Sequence, residues 1–475
     1  VSLSAAMLPA RRPAGNTRRA LAALVPCLAV ALGFAPALAN ARNARKNHSE
    51  PVVTVTYTTE AGDTLYEIAA RYLRDSHDWA VLSRLNHVPA PRRLQAGIEI
   101  KLPAALLRED TESARVVTAS GPVERAFGAG PYTPLAPGML LGEGDRLRTG
   151  HEGFVTLELA DGSHVTVSQD GMVEIGKLRQ TVVTGASDHV INLQHGEVDS
   201  EVTHATRKDD RFQIRSPSVV AGVRGTRFRV NYDAGQQQTS VEVLDGAVGV
   251  DSGNVAAPAP GVPLQASEQL VAARFGNVSN AGGAIGAPVE LLSAPALADP
   301  ARVQDGQTVA FDLVPDSRAA GYRVQIARDA DLLDLIRDQP VSAPHADFGA
   351  LPDGTYFVRI SAIARNGLEG LPQTYSFERR QLGLSASATP RPGTRDYTFR
   401  WFASRPGVET RFRFVLAATA DLRKPIVDRP DLPAGEIVVT DLPRGVYYWT
   451  VIAEQFENGR FYEKGSAVRS FTLAR

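Results

Sequence analysis

YTTEAGDTLYEIAARYLRDSHDWAVLSRLNHV at 57–88, closed by LQAGIEIKLP at 94–103, is the stretch on which the reading of this chain turns. Just upstream, residues 53–58 (VTVTYT) alternate branched or aromatic side chains with smaller polar ones, the pattern of a half-buried strand. Gly62-Asp63-Thr64 then supplies a turn and a helix start. Asp63 or Thr64 can accept from the unpaired first-turn N–H groups, and Glu67 stands three residues past Thr64, as a capping box requires. Leu65, Ile68, Ala69 and Tyr72 recur on one helical face. A second helix is predicted from about Asp78 to Asn86, with Trp79, Leu82 and Leu85 turned inward and Asn86 as terminator. Leu94, Gly97, Ile98 and Ile100 read as a turn into a closing strand that Pro103 stops. Residues 53–104 therefore predict a βααβ unit with enough apolar side chains for a small core.

This stretch resembles the LysM family. Gly62-Asp63-Thr64-Leu65, Ile68-Ala69, Tyr72, Trp79, Leu82, Leu85-Asn86, Leu94, Gly97 and Ile100-Lys101-Leu102-Pro103 match its pattern. The resemblance implies two helices on one side of a two-stranded sheet, and a shallow groove for chains containing N-acetylglucosamine, such as peptidoglycan. Gly62, Asp63, Thr64 and Leu65 would form one wall; Asn86, His87 and the Leu94, Gly97 and Ile98 loop would form the other. Sugar amides and hydroxyls need short polar groups and backbone donors, and acetyl methyls need an apolar floor. Against this stands a structural reading, in which Asp63 and Thr64 only cap a helix and Leu65 packs inward.

Residues 1–39 carry Arg11, Arg12, Arg18 and Arg19, then an apolar run ending in Ala37-Leu38-Ala39. That is the three-part pattern of a secretory signal peptide, with an uncleaved membrane anchor as the alternative, so the expected location is the periplasm or cell envelope. Its removal would take the formal net charge from −1 to −5. Cys27, the only cysteine, would leave with it, so neither disulfide nor thiolate chemistry is expected in the remainder. A 22% charged content with balanced sign gives no support for nucleic-acid binding. Residues 40–52 read as a linker.

Beyond a short connection at 104–114 the texture changes to brief alternating runs separated by Gly and Asp. Phe154–Leu159 and His164–Val167 flank Asp161-Gly162, a hairpin signal. Met172–Ile175, Val190–Leu193, Glu197–Val202, Arg211–Ile214, Arg227–Val230 and Thr239–Val243 continue the series, with turns at Asp170-Gly171 and Asp245-Gly246. Residues 114–252 resemble the FecR domain, through Gly144–Gly150, Gly153–Leu159, Leu193–Val198, Phe212–Pro217, Val220–Phe228 and Val241–Val250. The resemblance implies a periplasmic β domain. FecR sensors place a membrane helix ahead of this domain; no apolar run between it and the LysM-like stretch is long enough to be one, so direct transcriptional signalling is not expected.

Residues 253–292, rich in Ala, Gly, Pro and Asn, read as a linker. An imperfect repeat follows: Tyr322 and Phe412 are 90 residues apart, Leu351 and Leu442 91. Its alternating aromatic strands look like paired immunoglobulin-like or fibronectin type III-like sandwiches at 293–380 and 385–475, with Trp401, Tyr356 and Tyr448 between sheets. The loop around Asp329–Asp338 is a candidate partner contact.

Other constellations carry less. Arg224-Gly225-Thr226-Arg227 reads as a tight turn ahead of an anion loop. His164, His189, His195 and His204 have no ligand spacing, so no metal or cofactor is expected. Glu143, Asp145, Glu158 and Asp161 read as turn or edge residues rather than a catalytic pair. The fold expected is multidomain and mainly β. The function expected is that of a non-enzymatic, exported adaptor linking wall glycan to an envelope protein; the alternatives are a periplasmic sensor of FecR type and a wall hydrolase.

Overall fold

The computed structural model describes residues 52–89, 93–223, 225–253, 267–282, 284–300, 303–404, 408–433, 435–457 and 459–474. The expected signal peptide and the 40–52 linker lie outside these, Val52 excepted.

In the N-terminal module, β1 (Thr54–Thr58) and β2 (Glu99–Pro103) pair antiparallel, with Tyr57 opposite Ile100. The first helix, α1 (Leu65–Tyr72), begins where the sequence predicts. Thr64 Oγ1 accepts from Glu67 N, and Glu67 returns a carboxylate to Thr64 N. Its stripe of Leu65, Ile68 and Ala69 is buried against Leu82, Ile100 and Leu102. A single 3₁₀ turn at Ser76–Asp78, capped by Asp75, precedes α2 (Trp79–Asn86) and takes the place of the first helical turn expected from Asp78. The left-handed residue ending α2 is His87, not Asn86. Trp79 is only partly buried, packed against the edge of this core.

The expected connection at 104–114 is not free. Leu107 is buried in the module core and bridges to Leu73, Arg108 N donates to Tyr72 O, and Val183 of the next domain packs beneath. The Glu109 carboxylate lies 3.0 Å from Lys177, 3.5 Å from Arg179 and 3.8 Å from Arg74. One carboxylate thus ties the module to the domain after it.

Strands from Glu109–Thr111 to Val289–Glu290 join into a closed barrel around a Val, Leu and Ile core. Two strands expected at 190–193 and 197–202 are one, Ser187–Glu201. Its first half pairs with Met172–Thr181 and, in parallel, with Arg211–Arg215; its second half pairs with His164–Val167 and Arg227–Asp233. Gly196 permits the bend, at φ +80°, where a Cβ would meet Gly171 at 2.8 Å. The expected 253–292 linker is corrected: Gln269–Ala272 pairs with Ala247–Ser252, and Phe275–Asn280 with Gln238–Asp245. Buried Asn277 and Ser279 hid that strand from an apolar-pattern reading.

Two β-sandwiches follow. The first sets a four-stranded sheet (319–327, 335–341, 354–364, 373–379) against the pair 310–312 and 345–347. The second sets 384–390, 397–403 and 435–439 against a five-stranded sheet. Trp401 and Tyr356 are interior as expected; Tyr448 is not, and Tyr447 takes its place. The repeat explains why: Tyr356 Oη donates to Pro352 O, and Tyr447 Oη makes the same bond to Pro443 O. Arg380 couples the sandwiches, bonding Gln455 and Glu457 and lying over Tyr462.

The barrel and first sandwich share a buried ionic joint. Arg323 binds Glu197 (2.6 Å), Asp338 and Glu369 (2.8 Å); Arg229 binds Glu369; Arg359 binds Asp199 at 2.8 Å. The loop expected to reach a partner meets the barrel instead: Leu333 O accepts from Thr118 and Thr156, and Leu332 packs on Phe154. Val52–Arg475 consequently forms one compact unit. Among the described residues no helix is long and apolar enough to cross a membrane.

Candidate functional site

Thr59 stitches the two loops of the expected groove together. Its Oγ1 donates to Gln95 O at 2.6 Å and accepts from Ile98 N at 3.0 Å, while its backbone bonds Gly97 and Ile98. Leu94 N donates to Asp63 O at 2.8 Å, and Thr64 bridges Arg93. The Gly62–Leu65 wall and the Leu94–Ile98 wall are therefore adjacent. Gly62 and Gly97 have φ of +97° and +85° with open space where a side chain would be, so both expose backbone at the rim.

The nominated residues divide by this geometry. Leu65 and Leu94 are core. Asp63 is buried, accepting from Tyr57 Oη and Glu60 N at 2.8 Å each, with Arg71 3.8 Å away. Burial, together with the Asp63 bond, pushes the Tyr57 hydroxyl pKa upward. Asn86 is spent on β2, donating to Lys101 O and accepting from Lys101 N. Thr64 is half-exposed but engaged in its capping box. Gly62, His87, Gly97 and Ile98 are exposed.

Sequence reasoning passed over Thr59, whose role depends on a loop 36 residues away, and Tyr66. Tyr66 is 54% exposed in the first turn of α1, beside the Gly62–Thr64 wall. It stands off the apolar stripe, the signal that could have marked it. Ile98, 39% exposed on the other wall, is a second apolar side chain open to solvent there.

The other constellations make local contacts. Arg224 lies outside the described residues; Gly225 is a tight contact against His204, and Thr226 Oγ1 bonds Ala247 O. Glu143 holds Arg179, whose charge and bonds outweigh burial and lower the Glu143 pKa. Asp145 accepts from Gly142 N, Glu158 pairs with Arg115, and Asp161 closes a turn on Ser163. Among the described residues no three His, Asp or Glu side chains converge at metal-ligand spacing.

Residues 57–103 match the LysM domain family, and residues 145–249 match the family described as FecR protein. The chain carries both domains. No curated protein matches it. Among solved structures, a proposed anti-sigma factor from Parabacteroides distasonis is similar at 16% identity and TM-score 0.23, over 30% of this chain and 59% of that one. The chain thus spans less than two thirds of that protein. Fibronectin(III)-like modules of Clostridium thermocellum CbhA match at 15% identity and TM-score 0.20, over 37% and 90%. Chicken CNTN1 FN1–FN3 domains match at 12% identity and TM-score 0.21, over 59% and 99%. Likeness at this level carries no functional argument.

Proposed function

We propose that this chain is an exported, glycan-tethered protein of a periplasmic signalling assembly, in which the LysM domain holds peptidoglycan and the FecR-like barrel faces an envelope protein. LysM domains as a family bind peptidoglycan, and FecR-like domains occur in periplasmic signalling proteins. The observation that carries the reading is the continuity of the two domains: Leu107 sits in the core of one while Glu109 is bonded into the other. Strain on the glycan groove is then passed to the barrel without a slack linker, as a sensor of wall state requires. The protein acts by binding, without catalytic turnover. A passive adaptor is the second reading, favoured by the sandwiches, which extend the barrel through the Arg323 and Arg380 contacts.

Photocrosslinkers placed on exposed barrel residues separate the two. A sensor gives a discrete envelope-protein adduct whose yield changes when the wall is digested. A passive adaptor gives an adduct unaffected by digestion, and no adduct rejects the partner altogether. Release of soluble fragments from purified peptidoglycan by the chain would instead establish a hydrolase.

A further inference from the structure

The parallel pairing of Ser187–Glu201 with Arg211–Arg215 needs a crossover, and residues 202–210 make it. Beneath that crossover lies a cavity of about 230 Å³, on the barrel and away from the glycan loops. A single water needs roughly 10–15 Å³ of such space, so the cavity has room for a small organic molecule. We propose that it binds a small zwitterion bearing a primary ammonium and a carboxylate, an α-amino acid by class. The proposal is independent of glycan tethering.

The acidic end of the cavity is formed by Glu112 and Asp161, with His189, which is 0% exposed, set behind them. Its Nε2 lies 2.8 Å from Glu112 Oε2, and its Nδ1 faces Asp161 Oδ2 at 3.7 Å, beyond hydrogen-bond reach; both carboxylates line the cavity. Nδ1 is left without a partner. A neutral ring donating to Glu112 turns a lone pair toward Asp161, acceptor against acceptor. A protonated ring still leaves two carboxylates against one cation. Either way the two carboxylates at this end outnumber the donor between them, and an ammonium supplies a second. Asp161 also accepts from Ser163 N and Oγ, which leaves it lone pairs toward the cavity, whereas Asp210, also on the wall, takes three N–H groups, from Thr206, Arg207 and Ser187.

The opposite charge stands on the crossover. Arg207 lies over Gly185, its guanidinium exposed and making no ion pair among the described residues, which leaves it available to a carboxylate. Arg211 is engaged with Asp188 instead. Val202, Phe212 and Val223 give an apolar floor, suited to an aliphatic side chain. Such a molecule has two sources, free amino acid or the peptide stems of the wall polymer.

Calorimetric titration of the full chain tests the proposal. The probes are alanine, N-acetylalanine, alaninamide and a sugar-free tripeptide of wall-stem composition. Alanine is expected to bind, and blocking either its amine or its carboxylate weakens binding by about ten-fold or more. Asp161→Asn, which keeps the turn acceptor, and Arg207→Gln each weaken it by about ten-fold. Ala205→Trp fills the half-exposed roof and abolishes binding while the melting temperature is kept. Binding of the tripeptide as well as alanine assigns the site to wall stems; binding of alanine alone assigns it to the free amino acid. Silence from every probe at millimolar concentration overturns the proposal, as does binding that survives Ala205→Trp.

Discussion

The Asp63 carboxylate takes hydrogen bonds from Tyr57 and Glu60, so its loss leaves two partly buried hydrogen bonds unmade. Asp63→Ala is expected to destabilise the LysM module by about 1–3 kcal/mol, seen as faster amide exchange in β1 and β2. Tyr66→Ala removes a ring that stands mostly in solvent, off the buried stripe of α1. It is expected to leave exchange unchanged while glycan affinity falls about ten-fold, since a stacked ring contributes roughly 0.5–1.5 kcal/mol beyond the area it covers. Equal exchange rates in both variants would contradict the division of labour between the two residues. Trp79→Ala is expected to cost about 2–3 kcal/mol, below a fully buried tryptophan, because the ring is only partly buried against the core.

The ionic joint sets three buried arginines (Arg229, Arg323, Arg359) against five buried or nearly buried carboxylates (Glu197, Asp199, Glu242, Asp338, Glu369). Burial, reinforced by Glu197 and Glu369, outweighs Arg229 and raises Glu242 from 4.5 to about 7. Burial would also raise Glu369, but Arg229 and Arg323 overcome it and hold that group at about 2. Between pH 4.5 and about 7 the folded joint keeps a proton on Glu242 that the unfolded chain releases. Its contribution is therefore full below 4.5 and lost as pH rises through about 7. Glu369 works in the opposite sense, contributing above 4.5 and failing as pH falls toward 2. Glu242→Gln is expected to remove the alkaline loss, so thermal melts of wild type and variant diverge as pH rises through about 7. Parallel melting curves across that range would show that Glu242 titrates normally. Arg323→Ala leaves Glu197 and Asp338 without their cation, Glu369 keeping Arg229, and is expected to cost about 3–5 kcal/mol at the same joint.

At the scale of the molecule, local patterns were legible and long-range ones were not. The capping box at Thr64 and Glu67 and the turns at Asp161-Gly162 and Asp245-Gly246 could be read directly, because each is a contact between near neighbours. The strand at 275–280 could not, since its buried Asn277 and Ser279 break the apolar alternation. Nor could the joint: Arg229 and Glu369 are 140 residues apart, and nothing local marks either as buried. The candidate site was read in part for the same reason. Its turn glycines were visible, whereas the side chains free to meet a sugar emerge only after Asp63 and Asn86 are committed to Tyr57 and Lys101.

Wall tethering through the Gly62 and Ile98 loops is the central claim, and co-sedimentation of the full chain with purified sacculi tests it most directly. The wild-type chain is expected to pellet and to be displaced by soluble N-acetylglucosamine oligomers, while the Tyr66→Ala, Ile98→Ser double variant stays in the supernatant with its fold intact. A wild-type chain that remains soluble, or pellets regardless of the oligomers and the double substitution, would contradict the account.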